Sequence, residues 1–157
     1  MADYIIENLI RVRAKIAAAA EKSGRRPEDI RLVAVTKIVP PEKINQAVAA
    51  GVTDLGENYL QEALAKQPQV TGPVRWHFIG HLQRNKAEKA LEHFSLIQSV
   101  DSRRLAQELD RRARQLGQEA EILLQVNTSG EESKSGVVPE QTEELAEAIS
   151  GLGSLKL

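Results

Sequence analysis

Arg31-Leu32-Val33-Ala34-Val35-Thr36, a helical stretch that starts near Pro41 and stops at Gly51, and then Thr53-Asp54-Leu55-Gly56 make up the segment that decides the fold. The first run is short and valine-rich, as a strand covered on both faces tends to be. Pro41 suits the first turn of a helix, where a backbone N–H has no partner to lose, and Gly51 suits a helix end. Strands joined by a helix rather than by a hairpin turn run parallel, because the chain must return to its starting end before it pairs again.

The same unit repeats outward from this segment. Arg75-Trp76-His77-Phe78-Ile79 reads as a third strand, Ser95 to Val100 as a fourth and Glu121 to Asn127 as a fifth. Helices are expected from Tyr59 to Lys66, over 84–92, over 102–116 and over about 139–150. Upstream, Ile5, Leu9, Val12 and Ile16 recur at helical spacing, with Ile6 and Ile10 widening the stripe, so residues 3–22 read as a helix packed outside the sheet. Leu155-Lys156-Leu157 reads as the start of a sixth strand. The class is α/β. A doubly wound sheet and a barrel both satisfy the alternation, and the even spacing of strand starts at 31, 53, 75, 95 and 120 favours a partial β/α (TIM-type) barrel of about five parallel strands plus the N-terminal helix.

Composition narrows the function. At 157 residues, 41% hydrophobic and 27% charged, the chain reads as an ordinary globular domain. Aromatic residues make up 3%, too few for stacking on single-stranded nucleic acid. The absence of cysteine excludes disulfides, thiolate metal sites and cysteine nucleophiles. No apolar run is long enough to span a bilayer and no signal peptide is visible, so a cytoplasmic protein is expected. Basic groups outnumber acidic ones over 75–116, chiefly through Arg103, Arg104, Arg111, Arg112 and Arg114, and acidic groups dominate 117–157. A solvated helix face accounts for such a pattern more simply than a nucleic-acid surface does.

Ligands of parallel α/β folds gather at the carboxyl ends of the strands. Here those ends carry Thr36-Lys37, Gly56-Glu57-Asn58, His77 with Gly80-His81, Asp101, and Asn127-Thr128-Ser129. Lys37 is the most informative. Alternation puts it on one face with Val33 and Val35, where desolvation would lower its pKa and free the amine to attack a carbonyl. The competing reading is a strand-end lysine that snorkels to solvent. His77 and His81 lack the context of a zinc helix, and phosphate-loop, dinucleotide and Gly-x-Ser-x-Gly motifs are missing.

Three segments resemble one family: Ala34-Val35-Thr36-Lys37, Asp54-Leu55-Gly56-Glu57-Asn58-Tyr59, and Trp76-His77-Phe78-Ile79-Gly80-His81-Leu82-Gln83-Arg84-Asn85-Lys86. It is the family of pyridoxal-phosphate-binding homeostasis proteins, related to the alanine racemase N-terminal domain. Gln125-Val126-Asn127 with Ser129, Glu131, Lys134, Ser135 and Gly136 extends the match to about residue 140. The resemblance implies pyridoxal 5′-phosphate as cofactor, Lys37 as its Schiff-base lysine, and Asn58 and His77 beside its ring, with Asn127 at the rim. For His77 the alternative is a strand histidine satisfied by a backbone carbonyl, and for Asn58 a helix cap.

It also implies a non-catalytic carrier, since racemisation needs a second acid–base group on the opposite face of the substrate. A racemase-like enzyme and a scaffold fragment with impaired cofactor binding are the rival readings. Eight units of this size would need about 220 residues, so the chain is expected to be an incomplete barrel domain with an uncovered core. A truncation, a homo-oligomer or a missing C-terminal segment on a second polypeptide would account for that.

Overall fold

The computed structural model describes residues 2–157, with side chains from Tyr4 onward. Helix α1 (Ala2–Lys22) precedes a regular alternation of β1 (Val33–Val35), α2 (Pro41–Ala49), β2 (Asp54–Glu57), α3 (Leu60–Lys66), β3 (Arg75–Phe78), α4 (Ala87–His93), β4 (Leu96–Val100), α5 (Arg103–Leu116), β5 (Ala120–Leu124), α6 (Thr142–Ser150) and β6 (Leu155–Lys156). The six strands form one sheet in chain order, every pair parallel. Strand order that follows chain order is the progression of a β/α barrel wall, and here it leaves β1 and β6 at the two edges.

Local chemistry sets the boundaries. Ser102 caps α5 by accepting the Leu105 N–H, and Gly117, at φ 67°, ends the helix in the left-handed conformation. The strand expected over 121–127 stops at Leu124, because the next backbone groups turn to a returning loop. Val137 N–H donates to the Gln125 carbonyl, and Asn127 N–H donates to the Val137 carbonyl. A bulge between Ile97 and Val100 on the neighbouring strand accompanies that break in register.

The core lies between sheet and helices. Leu55, Phe78, Ile97 and Ile122 project from the strands onto Ile44, Leu105, Leu109 and Ile149. Phe78 meets Phe94 edge to face, with ring centroids 5.2 Å apart. Helix α1 is less well covered than its pattern suggests. Leu9 packs against the core, while Ile6, Ile10 and Val12 of the expected stripe are exposed. Arg13 ties the helix down instead, donating to the carbonyls of Ala50 and Gly51. On α5, Glu108 takes hydrogen bonds from Arg111 and Arg112, which hold its carboxyl at about 2, and Asp110 pairs with Arg114. Most of the basic face is thus internally neutralised.

The opposite, inner face of the sheet is polar. Register sets Asp54 of β2, His77 of β3 and Gln98 of β4 on that face. His77, fully buried, meets Asp54 Oδ1 through Nε2 at 2.8 Å and Gln98 Nε2 through Nδ1 at 2.9 Å. A carboxylate only accepts, so Nε2 carries the proton and Nδ1 accepts from Gln98. Arg75 bonds Glu121 at 2.9 Å on the same face. Burial pushes the Asp54 carboxyl up, but hydrogen bonds from Thr53 and His77, with the nearby Arg31 guanidinium, outweigh it and the net shift is downward.

Two predictions follow from this packing. A carboxyl depressed in the folded state contributes stability above its unfolded pKa of about 3.9 and loses it as pH falls through the folded value. Asp54→Asn should therefore be less stable at neutral pH and should lose less stability on acidification, read as urea midpoints from about pH 7 to about pH 2. At Gly80 a Cβ would sit 2.1 Å from the Asn58 carbonyl oxygen, so Gly80→Ala should destabilise by about 1–3 kcal/mol in the same assay at neutral pH.

Candidate functional site

Each strand ends at one rim, and β1 delivers Lys37 to it. The chain leaves β1 through the turn Thr36–Val39, closed by the Val39 N–H donating to the Thr36 carbonyl at 3.0 Å. Ile38, third in the turn, has φ 63°. That position normally takes glycine when φ is positive, and a β-branched residue there costs ~1–3 kcal/mol unless its surroundings dictate it. The Ile38 side chain is 83% exposed, so its packing supplies no compensation. Lys37 is exposed as well, and no hydrogen bond or ion pair of its side chain is found among the described residues. The desolvation expected from strand alternation is therefore absent. Its neighbour Val35 is 52% exposed, because β1 is an edge strand and the inner face in front of it is open.

The turn is held from the sheet's other side. Glu57, expected at the rim, points instead into the layer between sheet and helices and is completely buried. Its Oε1 accepts from Thr36 Oγ1 at 2.6 Å and from Lys66 Nζ at 3.0 Å, while Oε2 has no partner among the described residues. Lys66 also donates to the Thr36 carbonyl at 2.7 Å and to Glu62. Glu62 in turn accepts the Ile38 N–H. Hydrogen bonds from Lys66 and from the Ile38 N–H hold the Glu62 carboxyl below the ordinary carboxylate range. Sequence reasoning missed this cluster. The available signals were the i, i+4 spacing of Glu62 and Lys66 on α3 and the place of Glu57 on the same strand face as Leu55.

The other expected residues divide. Asn58 stands at the neighbouring strand end from Lys37. It is half-buried, its backbone passes tightly against Gly80, and no hydrogen bond of its side chain is found among the described residues. It does not cap α3, whose N-cap is Tyr59, so its amide is free to meet a ligand. His77 sits lower on the inner face with both ring nitrogens committed to Asp54 and Gln98, so it can offer a ligand its ring but no hydrogen bond.

Asn127 is on β5's exit, four strands along from β1, and its amide is also committed. Nδ2 donates to the carbonyls of Glu131 and Lys134, and Oδ1 accepts from the Gly130 N–H and Ser129 Oγ. It staples its own loop. Gly136, at φ 134°, permits the close return, since a Cβ there would lie 2.6 Å from the Asn127 nitrogen. His81 links three loops, with Nδ1 3.6 Å from Asp101 and 3.4 Å from Ser135.

Two cavities open on this rim. One of about 290 Å³ runs along Asn58, Tyr59, Phe78, His81 and Lys86. The other, of about 480 Å³, lies between His81, Arg84, Asp101 and Arg104. A further cavity, of about 650 Å³, is at the other end of the strands, between α1 and Arg31, Asp54 and Arg75, away from Lys37. Chemically, the rim offers an uncommitted amine, an uncommitted carboxamide and cationic side chains. Lys37 lines none of these cavities. No group of three or more metal-ligating side chains lies together among the described residues. No described helix is long and apolar enough to cross a membrane.

Comparison with known proteins identifies the family and the fold. Residues 8–157 match the family model for the alanine racemase N-terminal domain. The pyridoxal phosphate homeostasis protein of Pseudomonas aeruginosa is 46% identical over 154 residues, covering 98% of this chain and 67% of the relative. The protein of the same name from Escherichia coli K12 is 43% identical over 159 residues, with the same coverage. PipY of Synechococcus elongatus, solved without PLP and with PLP bound, superposes at TM-scores of 0.85 and 0.82 with 37% identity, over 98% of this chain and 67% of that one. The chain thus spans about two thirds of the length of these relatives. With the matching family model, the close superposition on PipY and this identity, the chain belongs to the pyridoxal phosphate homeostasis proteins, built on the alanine racemase N-terminal domain.

Proposed function

We propose that this chain is a non-catalytic pyridoxal 5′-phosphate-binding protein of cofactor and amino-acid homeostasis, with the cofactor held as a Schiff base on Lys37. The observation that carries this reading is the Lys37 amine itself. It stands at the carboxyl end of β1, exposed, without a partner among the described residues, on a turn whose Thr36 carbonyl and Ile38 N–H are both engaged. A lysine that merely snorkels to solvent would look the same, so the choice rests on the motif Ala34-Val35-Thr36-Lys37 and on the family.

When bound, pyridoxal phosphate would supply an aldehyde carbon for condensation with the Lys37 Nζ amine, releasing one water. The half-buried Asn58 offers its carboxamide to the cofactor ring from the adjacent strand end. His77, its ring held between Asp54 and Gln98, would line the cofactor's place from lower on the inner face. Asn127 shapes the fifth rim loop and contributes through it. The residues 1–157 act together as an open arc of a cofactor-binding β/α barrel.

Absence of turnover rests on acid–base geometry. Racemisation needs proton donors on both faces of the bound substrate. Tyr59, the tyrosine nearest the rim, is exposed at the start of α3, so a donor for the second face is not set against the Lys37 turn. The names of the relatives and the PLP-bound PipY structure support the choice of cofactor.

The chain mixed with pyridoxal phosphate should develop a Schiff-base absorbance, and borohydride reduction followed by peptide mapping should put the added mass on Lys37. Lys37→Ala should lose the absorbance. An adduct confined to other lysines would refute the assignment. Added amino acids should leave their stereochemistry unchanged, and racemisation would overturn the non-catalytic reading.

A further inference from the structure

Behind the Lys37 turn lies a charged cluster that a cofactor-carrying lysine does not by itself require. Glu57 and Lys66 are buried and Glu62 half-buried. Buried ion pairs contribute little net stability, because desolvation offsets their attraction and apolar side chains of similar volume serve as well. The left-handed Ile38 adds a second local cost with no packing in return. Both costs fall on the peptide groups that flank Lys37.

The hydrogen bonds show what those costs achieve. Lys66 Nζ holds the Thr36 carbonyl at 2.7 Å, Glu57 Oε1 holds the Thr36 hydroxyl at 2.6 Å, and Glu62 Oε1 holds the Ile38 N–H. The residue before Lys37 and the residue after it are pinned by one connected acid–base–acid network. Its members come from β2 and α3, so the turn is fixed to the scaffold rather than to its own loop. The Lys37 side chain between them is left unengaged among the described residues.

Resting on the Schiff-base reading above, we propose that Glu57, Glu62 and Lys66 are positioning residues for Lys37, clamping Thr36 and Ile38 so that the left-handed turn presents the amine at the inner rim in a fixed direction. A lysine whose backbone is already immobile loses less freedom when its amine is linked, which favours the linked state. The clamp stays on the far side of the sheet and needs no contact with the cofactor.

Two variants test this. Glu62→Ala removes the acceptor of the Ile38 N–H at a half-buried site that the fold tolerates. Glu57→Leu/Lys66→Met removes both buried charges together, so neither is left orphaned. In the cofactor-free full chain, both should accelerate hydrogen exchange of the Ile38 amide by about tenfold or more, as expected for loss of a charge-assisted hydrogen bond. Both should also weaken pyridoxal phosphate binding by about fivefold or more and shift the pH midpoint of the bound absorbance. Glu62→Gln, which keeps an acceptor, should restore most of the Ile38 protection.

A purely structural cluster would lower thermal stability and leave cofactor affinity and pH midpoint unchanged, and that result would overturn the proposal. Unchanged Ile38 exchange in both variants would overturn it as well. Lys37→Ala separates this from the parent reading. Retained cofactor absorbance in that variant defeats the Schiff-base assignment, while the exchange measurement still judges the clamp without any cofactor present.

Discussion

Parallel pairing is the constraint on which everything else in this structure depends. A parallel neighbour can be reached only by a crossover back to the starting end, so each strand is followed by a helix and all strands finish at one rim. That single requirement separates two chemical environments. The rim collects loops and exposed polar groups, among them Lys37, Asn58 and His81. The space between strands and helices collects the apolar core, with Phe78, Ile97, Leu105 and Ile149 at its centre.

Charges within this frame are partitioned by sheet face. On the inner face Asp54, His77 and Gln98 form a hydrogen-bonded chain across three strands, and Arg75 bonds Glu121 beside it. On the helix side Glu57, Lys66 and Glu62 grip the first rim turn. The two networks never exchange partners, since successive residues of β2 face opposite ways: Asp54 and Gly56 inward, Leu55 and Glu57 outward. A polar strand such as Asp54-Leu55-Gly56-Glu57 therefore serves both sides at once. Its carboxylates stand three residues apart in sequence and on opposite sides of the sheet.

Much of the architecture is legible in the chain. The elements fall where apolar periodicity, Pro41, Gly117 and the short β-rich runs put them, and the start of a sixth strand at Leu155 pairs with β5 as expected. The errors share one cause, which is that local pattern does not reveal a strand's neighbours. The fifth strand ends early because Val137 returns to take the hydrogen bonds of Gln125 and Asn127. Val12 is exposed because α1 has little to pack on along that side. Lys37 is solvated because β1 is an edge.

The candidate site divides in the same way. The residue types at the strand ends, and the motifs around Lys37, Asn58 and His77, are properties of the linear chain, and they determine the α/β class and the family. Which of those groups remain free to act is a property of the folded molecule. His77 and Asn127 are polar residues at suggestive positions, yet their hydrogen-bonding capacity is consumed by Asp54 and Gln98 in one case and by the chain's own loop in the other. Glu57 looks like a rim carboxylate and is a buried anchor. By itself the sequence determined the elements, their parallel order and the lysine. Only tertiary structure decided which donors and acceptors were spent, because hydrogen bonds between β1, β2, β3 and α3 join residues 9 to 30 positions apart, beyond the reach of any local pattern.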